Sequence, residues 1–245
     1  MILATILLAA ATAAPAPTVP PGPTVDSIVA DYVKARGGLA KIRAIQTLRQ
    51  TGHAYAEGGR HALVVREVQR PDKSRFEFTV QGVTAVFVAN GATGWQVSPL
   101  DGQMTPTPMS KEAIADAMEQ ADIEGPLVDW KAKGNRVELA GFEQVGGKNA
   151  YRLQITLKDG SVRYDYIDEA SYRHVRTDVD REVRGRTVST HAIFSGHRMQ
   201  NGVLFPGVVE IEAVGRPQKL RVVVDKIEVN PKLAPQRFEK AVPKD

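Results

Sequence analysis

Five histidines are the side chains of this 245-residue sequence that most readily support acid–base or metal chemistry. None stands in an H-E-x-x-H pair or a similar metal-binding spacing. His191 and His197 would share one face of an unbroken strand, but Gly196 interrupts that parity. We therefore predict partly exposed strand histidines and no metal site. The full set is His53, His61, His174, His191 and His197.

Other catalytic patterns are also missing from the sequence. No G-x-S-x-G nucleophile elbow and no G-x-G-x-x-G loop occurs, and the absence of Cys excludes a thiol nucleophile and disulfides. Asp165, Asp168 and Glu169 lie near strand ends and turns, so we predict that they are solvated. Carboxylates can still meet in three dimensions, which leaves a hydrolase as the less favoured alternative. We predict a protein that is not an enzyme and has no cofactor.

Charge is spread along the chain. The net charge is +4 and the pI is about 9.3, without a compact basic block, so nucleic-acid binding is not expected. Alternating charges predict cross-strand pairing on an exposed sheet face, with a docking patch as the alternative. The charged residues of this run are Arg173, Arg176, Asp178, Asp180, Arg181, Glu182, Arg184 and Arg186.

Arg70 fits its surroundings least well. Phe76, Phe78 and Val80 fall on one face of a predicted strand at period two, and the same parity places Arg70 on that side. A guanidinium aimed at an apolar face is unfavourable unless a nearby group pairs with it. The alternative is an arginine at a strand end that turns to solvent because Pro71 breaks the parity.

The rest of the chain reads as helices followed by strands. Thr24 to Ala35 predicts a capped amphipathic helix, and Leu39 to Ile45 predicts a second short helical turn. From Thr47 the period changes to two, with turn signals such as Asn90-Gly91 and Asp159-Gly160. This pattern predicts a mainly β (α+β) fold of about ten or eleven antiparallel strands, too many to stay flat and therefore curled.

Residues 106–130 interrupt the strands. Ser110 can cap a helix that runs to Ala121, and residues 122–130 predict a second helical piece. We interpret the segment as a lid over the curled sheet; the alternative is a helix that plugs one end of the barrel. The side chains predicted to face the cavity are Ile114, Met118, Ile123, Leu127 and Trp130.

The N-terminal residues predict export. Residues 1–13 are an apolar run that ends in small residues and reads as a signal peptide, although no Lys or Arg precedes it. Residues 14–23 form a Pro-rich leader that we expect to be disordered. Residues 24–245 then form a single domain, and we expect a soluble monomer in the periplasm.

Several short motifs resemble the LolA-like family of periplasmic lipoprotein carriers. They are Arg70-Pro71 before alternating aromatics, then Ala89-Asn90-Gly91 followed by Trp95 and Pro99, and the likeness extends from about Thr24 onward. The resemblance implies an open antiparallel half-barrel with helices on its concave face and a helical lid over an apolar cavity. It also implies that the arginine before a proline holds the lid shut. Because helix C-termini favour positive charge, we expect Arg70 to do so by donating hydrogen bonds to carbonyls of the lid.

We therefore favour a non-catalytic carrier of the acyl chains of a lipoprotein or lipid, with possible inner- and outer-membrane transport partners. Each methylene buried in the cavity contributes about 0.8 kcal/mol. The alternative is a periplasmic lipid-sensing regulatory or interaction module of the same fold. The predicted ligand-binding and lid residues are Arg70, Phe76, Phe78, Val80, Trp95, Ile114, Met118, Ile123, Leu127 and Trp130.

Overall fold

The computed structural model describes residues 22–56, 58–59, 61–183, 186–215 and 219–240. The predicted signal peptide at 1–13 lies outside these residues, as do Arg184 and all but the last two residues of the predicted leader at 14–23. No helix in the described ranges is both long enough and apolar enough to cross a membrane.

The predicted helices are confirmed. In the described residues they are α1 (Val25–Ala35), α2 (Leu39–Arg43) and α3 (Lys111–Ala121). Thr24 and Ser27 cap α1 reciprocally, because each hydroxyl accepts a hydrogen bond from the other residue's backbone N–H, at 3.2 and 3.0 Å. Gly37 follows α1 with φ +112°, and a Cβ there would lie 2.0 Å from the carbonyl oxygen of Gly202. Only glycine allows this approach.

The prediction of a second helical piece at 122–130 is wrong, because the chain forms consecutive turns there. Gly125 has φ +79° and Asp129 has φ +51°, and neither conformation continues a right-handed helix. Pro126 between them has no backbone N–H to donate to an earlier carbonyl. The carbonyls of Ile123 and Glu124 consequently need donors from elsewhere in the fold.

Thirteen strands within the described residues form one antiparallel sheet that is not closed into a barrel. Their order is β6-β5-β4-β3-β2-β1-β15-β14-β11-β10-β9-β8-β7, and β12 pairs with β13 separately. The bounds are β1 (Thr47–Ala56), β2 (His61–Gln69), β3 (Lys73–Val80), β4 (Val83–Asn90), β5 (Thr93–Ser98), β6 (Gln103–Pro108), β7 (Arg136–Val145), β8 (Lys148–Thr156), β9 (Val162–Asp168), β10 (His174–Val183), β11 (Arg186–Ser195), β12 (Arg198–Gln200), β13 (Val203–Phe205), β14 (Val208–Ala213) and β15 (Lys219–Val229).

The predicted count of ten or eleven strands is too low. The segment with Pro106 and Pro108 forms the edge strand β6, where missing amide donors are tolerated. Gly196 separates β11 from β12, and Gly207 separates β13 from β14. A Cβ on Gly207 would lie 2.5 Å from the carbonyl oxygen of Gly196, so the two breaks meet where no side chain fits.

The helices pack on one side of the sheet, which we call the helix face; the opposite side is the outer face. Ile28 and Tyr32 of α1 pack on Leu153 and Ile155 of β8 in one buried cluster. A second cluster forms around Ile42 of α2. Its other buried members are Ile45, Leu48, Val68, Ala121, Ile123, Val203, Phe205, Val224 and Ile227. Apolar burial therefore fixes both N-terminal helices on the same face.

The outer face carries paired charges. Arg176 contacts Asp178 at 2.6 Å and Glu143 at 2.8 Å, and His191 Nδ1 lies 2.6 Å from Asp178. The predicted cross-strand charge pairing is therefore present here, although Arg176 and Asp178 are half-buried instead of fully exposed.

Residues 230–240, which we call the C-terminal strap, cross the outer face. Leu233 and Phe238 pack on Val88 and Trp95. Arg237 contacts the carboxylate of Glu67 at 2.5 Å and that of Glu77 at 3.0 Å. Arg49 contacts the other oxygen of Glu67 at 2.7 Å. Glu67 is fully buried, and its two arginine partners compensate its charge.

We expect Phe238→Ala to lower the free energy of unfolding by about 3 kcal/mol, because it empties the buried centre of the strap contact. Urea unfolding followed by circular dichroism measures the change. The control is Met104→Ala on β6, which is 73% exposed and should shift stability by less than about 0.5 kcal/mol. Equal effects of the two substitutions would show that the strap does not stabilise the sheet.

Candidate functional site

Residues 110–130, which we call the covering segment, cross the helix face. Ser110 caps α3 by accepting a hydrogen bond from the backbone N–H of Ala113 at 3.2 Å. Ile114 lies directly over Gly94 of β5, since a Cβ on Gly94 would be 2.9 Å from Ile114 Cγ1. Met118 packs against the α2 cluster.

The two halves of the covering segment are buried to different extents. In α3 only Ala121 is fully buried, and the remaining residues are half-buried or exposed. In the turns that follow, Ile123, Leu127 and Val128 are all buried within the core. Few buried apolar contacts mean low local stability, so α3 is the half that can move most easily.

Two arginines bind the backbone carbonyls of the covering segment. Arg36, at the end of α1, donates from Nη2 to the carbonyl of Ile123 at 3.0 Å and from Nη1 to that of Glu124. Arg66 of β2 donates from Nη2 to the carbonyl of Gln120, in the last turn of α3. A helix C-terminus favours such a positive group.

Arg70 lies on the helix face, but it does not bind the carbonyls of the covering segment. Its Nε donates to the carbonyl of Ile45 at 2.7 Å, and Nη2 lies 3.4 Å from that of Ile42, so it binds the end of α2. It reaches the covering segment only through the carboxylate of Glu124, at 3.1 Å. The expected contact with lid carbonyls is thus corrected, because the backbone N–H of Arg70 also binds Gln46 and holds the residue beside α2.

A buried polar network on the helix face joins α3 to strands β9 and β10. Arg163 of β9 contacts the carboxylate of Glu119, and its Nε and Nη2 donate to Asp165 at 2.9 and 2.7 Å. Thr177 of β10 donates to the same Asp165 oxygen at 2.9 Å. His174 Nε2 lies 3.5 Å from that oxygen. Each carboxylate here already has a cationic partner.

The pKa values follow from burial and from these partners. Burial raises the pKa of Asp165, but the charges of Arg163 and His174 and their hydrogen bonds outweigh it and hold that pKa well below its usual range. Burial lowers the pKa of the Arg66 guanidinium to about 10. Burial also lowers the pKa of His197, aided by the nearby charge of Arg173.

A cavity of about 290 Å³ lies between the covering segment and the helix face. Its wall combines charged and aromatic side chains from α1, β2, α3, β9 and β11. The lining includes the side chains of Arg36, Arg66, Glu119, Arg163, Asp165 and Phe194. Ile123 is the predicted cavity residue that lines this space, and Met118 lines two neighbouring grooves.

The remaining predicted site residues separate into two groups. Phe76, Phe78 and Val80 lie half-buried on the helix face, and Phe76 stands directly across from Arg66. Leu127 and Trp130 instead pack into the α1 cluster beside β7 and β8. They were predicted to face the cavity, but the turns at 122–130 direct them into the core.

Trp95 lies on the outer face, away from the other predicted site residues. Its register partner is Val88, and both pack under the C-terminal strap against Leu233 and Phe238. The prediction that Trp95 binds ligand together with Phe76 and Phe78 therefore does not agree with its position, since the sheet separates them.

Asp165 and Asp168 were predicted to be solvated, but both are buried, at 2% and 5% exposure. Asp168 accepts two hydrogen bonds from Ser171, at 2.7 and 2.5 Å. Asp165 and Arg163 are two residues apart on β9 and therefore point to the same face. This spacing was the signal in the sequence that could have predicted their ion pair. Within the described residues, no cluster of His, Asp and Glu has the form of a metal site.

The sequence matches no protein-family model and no curated protein. Solved structures do match. A DUF1329 family protein from Desulfovibrio piger superposes with a TM-score of 0.63 at 16% identity, covering 88% of this chain and 97% of that one. A LolA superfamily protein from Nitrosomonas europaea gives a TM-score of 0.57 at 14% identity, with 89% and 99% covered.

A third match is a domain from Vibrio parahaemolyticus assigned as an outer membrane lipoprotein-sorting protein. It superposes with a TM-score of 0.58 at 12% identity, covering 89% of this chain and 96% of that domain. At such identities the likeness concerns the fold. The predicted resemblance is confirmed at that level, and the chain has a LolA-like fold.

Proposed function

We propose that this protein is a non-catalytic periplasmic carrier that binds the acyl chains of a lipoprotein or lipid beneath the covering segment. One observation carries the proposal: large apolar side chains on the helix face remain only half-buried. We call this surface the acyl face. It consists of Phe76, Phe78, Val80, Phe87, Phe194, Val209, Ile211, Leu220 and Val222.

The strand register supports two apolar patches on the helix face, and Ala54 of β1 and Ala62 of β2 lie between them on the same face. Phe76 lies directly across from Phe87 on the neighbouring strand. Val209 lies across from Phe194 on one side and from Val222 on the other. Residues that stand opposite each other in antiparallel strands point to the same face, so these side chains border each other from strand to strand. Hydrocarbon that covers them gains about 0.8 kcal/mol for each buried methylene.

A curl of the sheet is supported by the contacts of α3. The neighbouring residues Glu119 and Gln120 contact Arg163 of β9 and Arg66 of β2. These two strands are six positions apart in the sheet order, which is about 29 Å in a flat sheet at 4.8 Å per strand. One helical turn that reaches both favours the predicted half-barrel, which would enclose a chain.

The covering segment is suited to act as a lid in its first half. The turns at 122–130 are anchored in the core, whereas α3 is attached mainly by Ile114, Met118 and the polar contacts to Arg66 and Arg163. We infer that α3 swings about the junction at Asp122 when an acyl chain enters. The lipoprotein-sorting assignment of the Vibrio domain is consistent with an acylated cargo.

A role without catalysis is supported by the state of the cavity carboxylates. Asp165 and Glu119 are both paired with Arg163. The pKa of Asp165 is lowered by its cationic neighbours despite burial, so the group stays ionised and is a weak base at neutral pH.

We expect the purified, delipidated protein to bind a fluorescent fatty-acyl probe at a ratio of about 1:1. Met118→Asp should weaken this binding about tenfold or more, because an unpaired carboxylate would enter an apolar site. Titration of probe fluorescence measures the affinity, and thermal unfolding measures the stability of each variant.

The matched control is Met104→Asp, which adds the same charge at a position that is 73% exposed on β6. It should leave probe affinity unchanged. Failure of the wild-type protein to bind the probe, or a loss of melting temperature in Met118→Asp with unaltered affinity, would contradict the carrier proposal.

Arg70 is proposed to help retain the ligand, because it ties α2 to Glu124 at the fixed end of the covering segment. Arg70→Leu should release the bound probe several-fold faster while the protein stays folded. Arg70→Lys should recover this only partly, since an ammonium lacks the planar fork of donors. Stopped-flow dilution measures the release rate.

Arg75→Leu is the control for general destabilisation, because Arg75 is a partly buried arginine on the outer face and contacts Glu77 at 2.6 Å. Its release rate should equal that of the wild type. If Arg70→Leu also releases the probe at the wild-type rate, Arg70 has no part in retention.

A further inference from the structure

Arg66 places a positive charge at the border between the cavity and the acyl face. It stands on β2 directly across from Phe76 and lines the same cavity as Phe194. Its neighbours along the strand on this face are Val64 and Val68, both buried. A guanidinium in such apolar surroundings needs a specific partner.

The partners of Arg66 are all neutral. Nη1 donates to the side-chain oxygen of Gln50 at 2.7 Å, and Nη2 donates to the carbonyl of Gln120. These contacts use two of the five N–H donors of the guanidinium. Among the described residues, no carboxylate lies within ion-pair distance of Arg66.

Carboxylates that line the cavity are already paired with other cations. Asp165 and Glu119 contact Arg163, and Asp122 contacts Lys133 at 2.5 Å. Arg36, on the same wall, also binds only neutral oxygens in the part of the chain described here. Arg163 serves two carboxylates at once, but the cavity lining still carries four arginines against three carboxylates, so positive charge is in excess there.

Burial lowers the pKa of Arg66 to about 10, which still leaves the guanidinium charged at neutral pH. Arg66 is half-buried. A partly desolvated charge without a counter-charge is unfavourable, and a ligand that supplies the opposite charge reduces this penalty. The free donors of Arg66 form a planar fork that suits two oxygens of one anionic group.

We propose that the cavity binds the anionic head group of a single-chain amphiphile at Arg66, with the acyl chain lying on the acyl face. This inference rests on the proposed carrier function and makes it more specific. The shared chemistry of the head group is a carboxylate or phosphate, and Arg36 adds a second positive charge on the same wall. The aromatic ring of Phe76 begins the apolar path beside the head group.

Three ligands with twelve-carbon chains test the proposal by displacing the fluorescent acyl probe. Dodecanoate carries a carboxylate, dodecyl phosphate carries a phosphate, and glycerol monododecanoate is neutral. The wild type should bind at least one anionic ligand about tenfold more tightly than the neutral one, because hydrogen bonds to charged groups are the stronger class. The preferred anion identifies which head group the cavity takes.

Arg66→Met should abolish this preference while binding of glycerol monododecanoate stays within about twofold, which shows that the acyl face is intact. Arg66→Lys keeps the charge and should retain part of the preference. Arg75→Met on the outer face should leave the preference unchanged.

Equal affinity of the wild type for all three ligands would overturn the head-group proposal and leave the carrier proposal standing. A preference that survives Arg66→Met would also overturn it. Binding of none of the three ligands, together with no binding of the acyl probe, would contradict the carrier function itself.

Discussion

The backbone carbonyls where the covering segment turns are the groups that the helix face has to satisfy. The chain leaves α3 and enters Gly125 and Pro126 without a continuing helix, so carbonyls at 120, 123 and 124 meet side-chain donors. An unsatisfied buried carbonyl costs about 1–3 kcal/mol. Arg36 and Arg66 donate to these groups from two different elements, and their placement fixes where α1 and β2 must stand.

The close approach of Gly37 to Gly202 belongs to the same constraint. It lets the chain turn sharply after Arg36, so that the guanidinium points across the helix face to the covering segment. A side chain at Gly37 would push α1 away from the β12–β13 hairpin. Gly37 thus lets the end of α1, which carries Arg36, lie close against this hairpin.

The two faces of β2 treat charge in opposite ways. Glu67 points to the outer face, is fully buried and has Arg49 and Arg237 as partners. Its neighbour Arg66 points to the helix face and has only neutral partners among the described residues. The outer network is therefore neutralised by its own arginines, whereas the charge on the helix face has no carboxylate partner among the described residues.

Local signals predicted local structure well. The Thr24 and Ser110 caps located α1 and α3, and period-two alternation located most strands of the described residues. Parity also placed Arg70 on the correct face. The same parity applied to Val64 and Val68 would have identified Arg66, which lies between them on a face of β2 that is otherwise apolar.

Contacts between distant segments could not be predicted from periodicity. Trp95 is a large aromatic residue of the kind that often contacts ligands. Residues more than a hundred positions later in the chain cover it on the outer face. Parity places Asp165 on the same face as Arg163, but only the fold shows that Thr177 of the neighbouring strand also binds it. The predicted contact of Arg70 with lid carbonyls was wrong for the same reason. Parity gives the direction of the side chain but not which group lies within its reach, which is the carbonyl of Ile45.

The open sheet has one more consequence. Its terminal strands β6 and β7 present unpaired backbone groups, and such edges can recruit strands from other copies. Pro106 and Pro108 remove two amide donors from β6, so a newly arriving strand would find an incomplete ladder. In β7 the pairing register shifts between Leu139 and Gly141, which twists that edge away from a flat partner. Both terminal strands of the open sheet thus carry features that disfavour pairing with another copy.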